Sequence, residues 1–314
     1  MKRLLIILIV LMQPLAGGQA LIEGVMMRNK EKVSAVVRKK DGTLSIKKIV
    51  FHSLTQTNKF AALPFIRGVF ILGELMCMGV PLMIWSAQEA SEDQKNKDLS
   101  RWETFALVAF SISFSILLFM LVPLALTYAL QKTTSLIGSN EYMFNFIDGV
   151  LKIAIFVGYV WFVSLMPDVR RVFQYHGAEH KAIYTFENNE AFTPENADKH
   201  SRFHPRCGTS FIVFVLLISI VVFSFIPVET LWIVNFALRI LLVPVIAGIG
   251  YEVLRYSAAH RSSKIWKMLI WPGLQVQHVT TQPPDYSQLE VGLKAMDLVI
   301  DEKDHQEMSN YLHQ

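Results

Sequence analysis

The stretch GVFILGELMCMGVPLMIW, residues 68–85, decides how many times the chain crosses a membrane. It is long and apolar enough for a helical span. It also carries Gly73, Glu74, Gly79 and Pro81, with Pro64 and Arg67 just before it. Outside it, four stretches have the length and apolarity of membrane helices: Thr104–Leu130, Ile153–Met166 with a start as early as Phe146, Ser210–Ile226 and Leu231–Tyr251. Pro227 separates the last two as a hairpin. Charge placement chooses between four spans and five, because Lys and Arg close to helix ends stay on the cytoplasmic side. Residues 21–67 hold ten Lys/Arg against three Asp/Glu, and the loop 168–209 and the part after Tyr251 hold six basic residues each. The loop 131–146 has only Lys132, and the turn 228–230 has none. All three basic regions share one side only if 68–85 re-enters or lies in the interface. The expectation is four spans plus one re-entrant or interfacial apolar element. A cleaved signal peptide with five later spans ranks second, because it exports the basic lobe.

Composition agrees. The chain has 314 residues, 52% of them hydrophobic and 18% charged. Mean hydropathy is +0.36. That excludes an ordinary soluble domain and points to an α-helical integral membrane protein with the lipid bilayer as its main partner. No basic patch with interleaved aromatics is present, so no nucleic-acid partner is expected.

Four regions follow. Residues 1–16 are an apolar N-terminal segment, signal-like or interfacial: Leu4–Met12 follow Lys2 and Arg3 and precede small residues, but are too few to span. Residues 17–67 form a cytoplasmic strand-rich lobe, with Val33–Arg38 and Thr43–Phe51 flanking Asp41-Gly42 as a tight β-hairpin. Residues 68–251 are the membrane domain, including the cytoplasmic loop 168–209. Residues 252–314 are a cytoplasmic amphipathic tail, whose Leu289, Leu293, Met296 and Val299 suit contact with another membrane protein. Within the spans, Arg239 lies roughly 13 Å from the start of the last one, and Glu74 is its expected ion-pair partner.

The chemistry concentrates in the loop between the second and third spans. In Tyr175-His176-Gly177-Ala178-Glu179-His180-Lys181, the residues His176, Glu179 and His180 fall at about 0°, −60° and +40° around a helix axis, on one face. The spelling H-x-x-E-H is that of the inverted zincins, where two imidazoles bind Zn²⁺ and the Glu is the general base. The bland alternative is two satisfied or solvent-facing histidines. A second group, His200-x-x-x-His204-Pro205-Arg206-Cys207, ends where the next span begins, after a helix start with Thr193 as N-cap and Pro194 at the first helical position. Imidazoles and a thiolate favour Zn²⁺ over Mg²⁺ or Ca²⁺. Cys207 and Cys77 stand in settings too different for a disulfide framework. The candidate ligands are His176, His180, His204 and Cys207, with His200 as a further candidate. Four ligands would close a structural site; three would leave a position for water and a reaction. Glu179 serves the open site as base and the closed one as a carboxylate orienting an imidazole. Lys181 and Arg206 are candidate electrophiles or headgroup contacts.

Five motifs together resemble one family. Gly17-Gly18-Gln19-Ala20-Leu21-Ile22-Glu23-Gly24-Val25-Met26-Met27-Arg28, Pro64-Phe65-Ile66-Arg67-Gly68, His176-Gly177-Ala178-Glu179-His180-Lys181, His204-Pro205-Arg206-Cys207-Gly208-Thr209-Ser210-Phe211, and Pro272-Gly273-Leu274 with Thr280-Thr281 are similar to the YqhQ-like family, domain of unknown function 1385. The resemblance implies a multi-pass protein of the bacterial inner membrane, described generically as a predicted metal-dependent enzyme, with no substrate attached. The apolar 4–12 segment departs from the family pattern, and 277–284 is a looser ending than usual. Gly17-Gly18-Gln19 reads as a structural turn. The leading expectation is a zinc-dependent hydrolase acting on an amide, peptide or ester at the cytoplasmic membrane face. The alternative is a non-enzymatic scaffold or membrane-protein assembly factor with a structural zinc. A transporter, resting on Glu74 and Arg239, is third.

Overall fold

A computed structural model describes residues 16–91, 100–133, 140–227, 231–259, 263–301 and 303–306. The apolar 4–12 segment and the turn 228–230 lie outside the described residues. The lobe opens with a four-stranded antiparallel sheet in sequence order: β1 Gly17–Leu21, β2 Gly24–Asn29, β3 Lys32–Arg38 and β4 Leu44–Val50. The expected hairpin joins β3 to β4. Lys39 and Thr43 close it, Gly42 takes a φ of +83°, and the Asp41 carboxylate accepts from the Thr43 amide and hydroxyl. This is a three-residue loop rather than a two-residue turn. The Gly17-Gly18-Gln19 turn is not formed: these residues lie in β1, paired in register with Arg28, Met27 and Met26.

The helices are α1 Leu54–Thr57, α2 Ile66–Ala90, α3 Arg101–Thr133 with one π-helical turn at Leu117–Leu121, α4 Glu141–Ser164, α5 Pro167–Glu187, α6 Pro194–Asp198, α7 Gly208–Phe223, α8 Trp232–Ala259, α9 Lys264–Thr280 and α10 Tyr286–Asp297. Alternation along the strands gives the sheet two apolar faces. Leu21, Met26, Val33, Ala35 and Val37 pack on Met78 and Leu82 of α2. Val25, Met27 and Val36 pack on α5 and α10, through Tyr175, Ala178, Ala182, Leu289, Leu293 and Met296. The apolar stripe of the C-terminal tail is therefore covered from within the chain and is not the open partner surface expected of it.

Among the described residues four helices are long and apolar enough to cross a membrane: α2, α3, α4 and α8 over Trp232–Ser257. α7 is apolar but shorter. The large apolar side chains of α3, among them Phe105, Leu107, Phe110 and Ile112, are exposed, as contact with lipid requires. Residues 66–90 form one continuous helix, so the segment does not double back as a re-entrant loop would. Its start crosses α8, where a Cβ on Gly68 would lie 2.6 Å from Tyr251 Cβ and one on Gly248 2.1 Å from the Phe65 carbonyl oxygen. Its second half lies on the sheet, where Ser86 Oγ accepts from the Ile22 amide at 3.1 Å.

The expected Glu74–Arg239 pair does not form. Glu74 accepts from the Ser53 hydroxyl at 2.8 Å and the Leu54 amide at 2.6 Å, and lies 3.8 Å from the Arg28 guanidinium. Arg239, fully buried, donates to Asp148, to Asn145 Oδ1 at 2.6 Å and to Asn235 Oδ1 at 2.7 Å. Lys152, one turn after Asp148, donates to the same carboxylate oxygen. Both cations also stand over the Phe223 ring, at 4.5 and 4.7 Å from its centroid. The reason is spatial: α2 meets α8 at Gly248 and Tyr251, beyond Arg239, whereas Asp148 of α4 comes level with Arg239 and takes its charge.

Candidate metal centre

α5 starts with Pro167 at its first position and runs to Glu187, and Asn189 beyond it takes a left-handed φ of +54°. Its middle is buried on two sides. The chain after α9 crosses it at Gly177, where a Cβ would lie 2.3 Å from the Gln282 carbonyl oxygen. α10 crosses at Ala178, 3.0 Å from the position of a Cβ on Gly292. The first crossing sets the His176 ring. Gln282 donates to the Phe173 carbonyl at 2.8 Å, and the Thr280 carbonyl comes within 2.8 Å of His176 Nδ1. One turn on, His180 Nδ1 is bonded to the Arg202 carbonyl. Two carbonyls therefore hold the Nδ1 protons, and both rings present Nε2 as a lone pair.

Those lone pairs converge on one sulfur. His176 Nε2 lies 3.1 Å from Cys207 Sγ, and the two ring centroids are 4.4 Å apart. His180 Nε2 is buried and makes no hydrogen bond among the described residues. Ligand atoms of His176, His180 and Cys207 all lie within 4.8 Å of one another, a group that could hold a metal ion. Cys207 caps the N-terminus of α7, with Sγ accepting from the Thr209 amide at 3.4 Å. The Gln277 carboxamide of α9 fixes the approach to it, accepting from the His204 amide at 2.7 Å and donating to the His204 carbonyl at 2.8 Å and to Ser210 Oγ at 3.1 Å. Sequence reasoning missed Gln277, which lies in none of the motifs that carry the candidate ligands.

His204 and His200 stand apart from that group. The His204 ring lies beside those of His180 and Tyr184, but its Nε2 is 3.5 Å from the Glu187 carboxylate and its Nδ1 accepts from the Arg206 amide at 3.3 Å. His200 pairs with Glu190 at 2.9 Å. Carboxylates of this chain thus engage both. The two candidate electrophiles are engaged as well: Lys181 donates to the Asp198 carbonyl and carboxylate, and Arg206 pairs with Glu187.

Glu179 lies 3.9 Å from His176 Nε2 and is almost wholly buried. Burial pushes its carboxyl up to about 7, against the opposing pull of His176 and the Gly18 backbone amide. Burial lowers the His180 pKa, which favours the neutral ring a metal needs. The Gly18 contact brings in β1, the second element sequence reasoning missed. A Cβ on Gly18 would lie 2.8 Å from Glu179 Cγ and 2.6 Å from the Met26 carbonyl oxygen, so only glycine lets the strand pass this close.

Fold and site define a class: a mainly helical protein with apolar helices of membrane length, a small antiparallel sheet and a His₂Cys group able to hold a metal. Within it, the chain belongs to the family described as "Protein of unknown function (DUF1385)", whose model matches residues 63–302. A relative is "Uncharacterized protein YqhQ" of Bacillus subtilis (strain 168), 34% identical over 294 residues, covering 90% of this chain and 91% of that one. No solved structure matches.

Proposed function

We propose that the chain is a zinc-dependent hydrolase working at the cytoplasmic face of the bacterial inner membrane. The observation that carries this reading is that two imidazoles, each fixed through Nδ1 by a carbonyl, aim Nε2 at one thiol beside a buried carboxyl. The donors fit zinc: two neutral nitrogens and one sulfur, one short of the four that close a structural site. Zinc bound there supplies a Lewis acid for an acyl oxygen and for water. Glu179 accepts the proton of the attacking water as its oxygen adds to the acyl carbon. It then returns that proton to the nitrogen or oxygen that leaves when the C–N or C–O bond breaks. A pKa close to neutral suits both transfers.

The topology we infer has α3, α4, α7 and α8 crossing the bilayer and α2 lying with the lobe. By length alone α2 qualifies and α7 does not, but packing favours the reverse. α2 spends its second half on a sheet that shares its other face with α5 and α10. α7 starts at the metal centre and ends beside the buried Arg239. Four crossings bring the basic regions to one side, which is cytoplasmic by the positive-inside rule.

Zinc content per chain of detergent-purified protein tests the reading, with His176→Ala, Glu179→Gln and Cys207→Ala alongside. The expected result is about one zinc in the parent and in Glu179→Gln, and little in His176→Ala. No zinc in the parent overturns it. A second reading, a membrane-protein assembly factor with a closed structural zinc, draws support from the His204 ring beside His180. It predicts that His204→Ala loses both zinc and the folded lobe. The transporter reading loses its basis with the Glu74–Arg239 pair.

A further inference from the structure

The two edges of the sheet differ. β4 carries Lys47 and Lys48, charges that discourage pairing with another strand. β1, GGQAL, carries no charge. Its hairpin to β2 has Leu21 opposite Gly24, which makes that pair hydrogen-bonded and lets the pattern alternate from there. Gln19 therefore faces β2. Gly18 and Ala20, opposite Met27 and Val25, turn their amides and carbonyls to the outer edge. At the far end this edge is taken: the Ile22 amide donates to Ser86 Oγ of α2. Nearer the start, the Gly18 amide is directed at Glu179. Among the described residues no hydrogen bond reaches the Gly18 carbonyl or the Ala20 amide and carbonyl, and Gly18 is exposed.

Between those two taken amides, the Gly18 carbonyl and the Ala20 amide and carbonyl keep the donor and acceptor spacing of a strand edge, and their complement is another extended backbone. This edge passes directly over the Glu179 carboxyl, since Gly18 has no side chain to hold it off. We propose that Gly17–Ala20 binds an extended peptide segment by strand addition and lays its backbone along Glu179. Resting on the hydrolase reading, this names the substrate class as a polypeptide rather than a small ester.

The test uses the full chain in detergent, loaded with zinc, as Glu179→Gln to prevent turnover. The probe is a mixture of fluorescein-labelled random peptides about ten residues long, enough to overrun the edge at about 3.3 Å per residue. Ala20→Pro, made in the same background, removes the outward amide without touching a bond to β2. The expected result is at least about tenfold weaker binding, the equivalent of one lost hydrogen bond, with zinc content unchanged. Equal binding by both forms overturns the proposal, as does the absence of binding to Glu179→Gln. Should Ala20→Pro fail to fold, hydrogen exchange on the Glu179→Gln form decides: peptide should slow the Ala20 amide, and an unchanged rate overturns the proposal. Peptide binding without turnover by the parent protein would remove the hydrolase reading and leave the edge site standing. Turnover of a small acyl ester with no peptide binding would do the reverse.

Discussion

Two buried polar clusters sit at opposite ends of α7, and they treat their polar atoms differently. At the end of α7, Asp148, Lys152 and Arg239 turn their charge on one another, on two asparagines and on the Phe223 ring. At its start, His176 and His180 spend one nitrogen each on a carbonyl and keep the other aimed at Cys207. The first arrangement is complete without a ligand, apart from one oxygen of Asp148. The second leaves the buried His180 Nε2 without a hydrogen bond among the described residues, beside a sulfur that His176 also faces, which is costly unless something fills it. Burial alone therefore does not mark a site; unspent donors and acceptors that converge do.

The strongest way to break the comparison is Asp148→Ala. It should destabilise the bundle by about 3–5 kcal/mol, because it leaves two buried cations together. Replacing Asp148, Lys152 and Arg239 together by leucine and methionine should cost less than that single change. Unfolding in detergent by heat or denaturant measures both.

Gly177→Ala comes next. Its Cβ meets the Gln282 carbonyl oxygen, so the crossing that presents Thr280 to His176 must shift. A cost of about 1–3 kcal/mol and zinc binding weaker by about tenfold are expected, read by unfolding and metal titration. His176→Ala sharpens the contrast: metal-free protein should lose only about 1 kcal/mol, the worth of one hydrogen bond, while bound zinc falls to a small fraction of the parent's.

The smallest effect lies where the end of the chain is tied to the sheet. Burial pushes the Asp304 carboxyl up, but the Asp301 amide and Lys30 outweigh it and hold it below its usual 3.8. A lowered folded pKa means stability that is present above 3.8 and lost as pH falls through the folded value. Asp304→Asn should cost about 1 kcal/mol at neutral pH and flatten that acid limb in a pH series of unfolding curves.

What the sequence announced were features with local signatures. The H-x-x-E-H face, the Thr193 cap with Pro194 and the Asp41-Gly42 hairpin all follow from spacing within a few residues. The β1–β2 hairpin stayed hidden because its turn places Glu23, not glycine or asparagine, at a positive φ of 53°. The Glu74–Arg239 pairing failed because depth along a helix does not say at which level two helices meet: α2 meets α8 at Gly248 and Tyr251, beyond Arg239, and Asp148 did not stand out in a stretch read as the approach to a span. His204 looked equivalent to Cys207 by spacing, yet Glu187, seventeen residues before it, engages its ring nitrogen. Gln277 became visible only once α9 was seen beside the His204–Ser210 turn.

The lobe is sewn from both ends of the chain: Asn29 bonds the Val299 carbonyl and Asp304, and Ser34 bonds the Ala295 carbonyl. On the ribosome this imposes a wait. At roughly 5–20 residues per second, the sheet is made well over ten seconds before α10 emerges to cover it. In that interval the apolar face of Val25, Met27 and Val36 is open to chaperones and to neighbouring chains. The Thr280 carbonyl that orients His176 also comes late, so a nascent chain cannot carry an assembled metal centre until synthesis is nearly done. A chain cut short between residues 260 and 279 would therefore keep the long apolar helices and yet lack the carbonyl that orients His176.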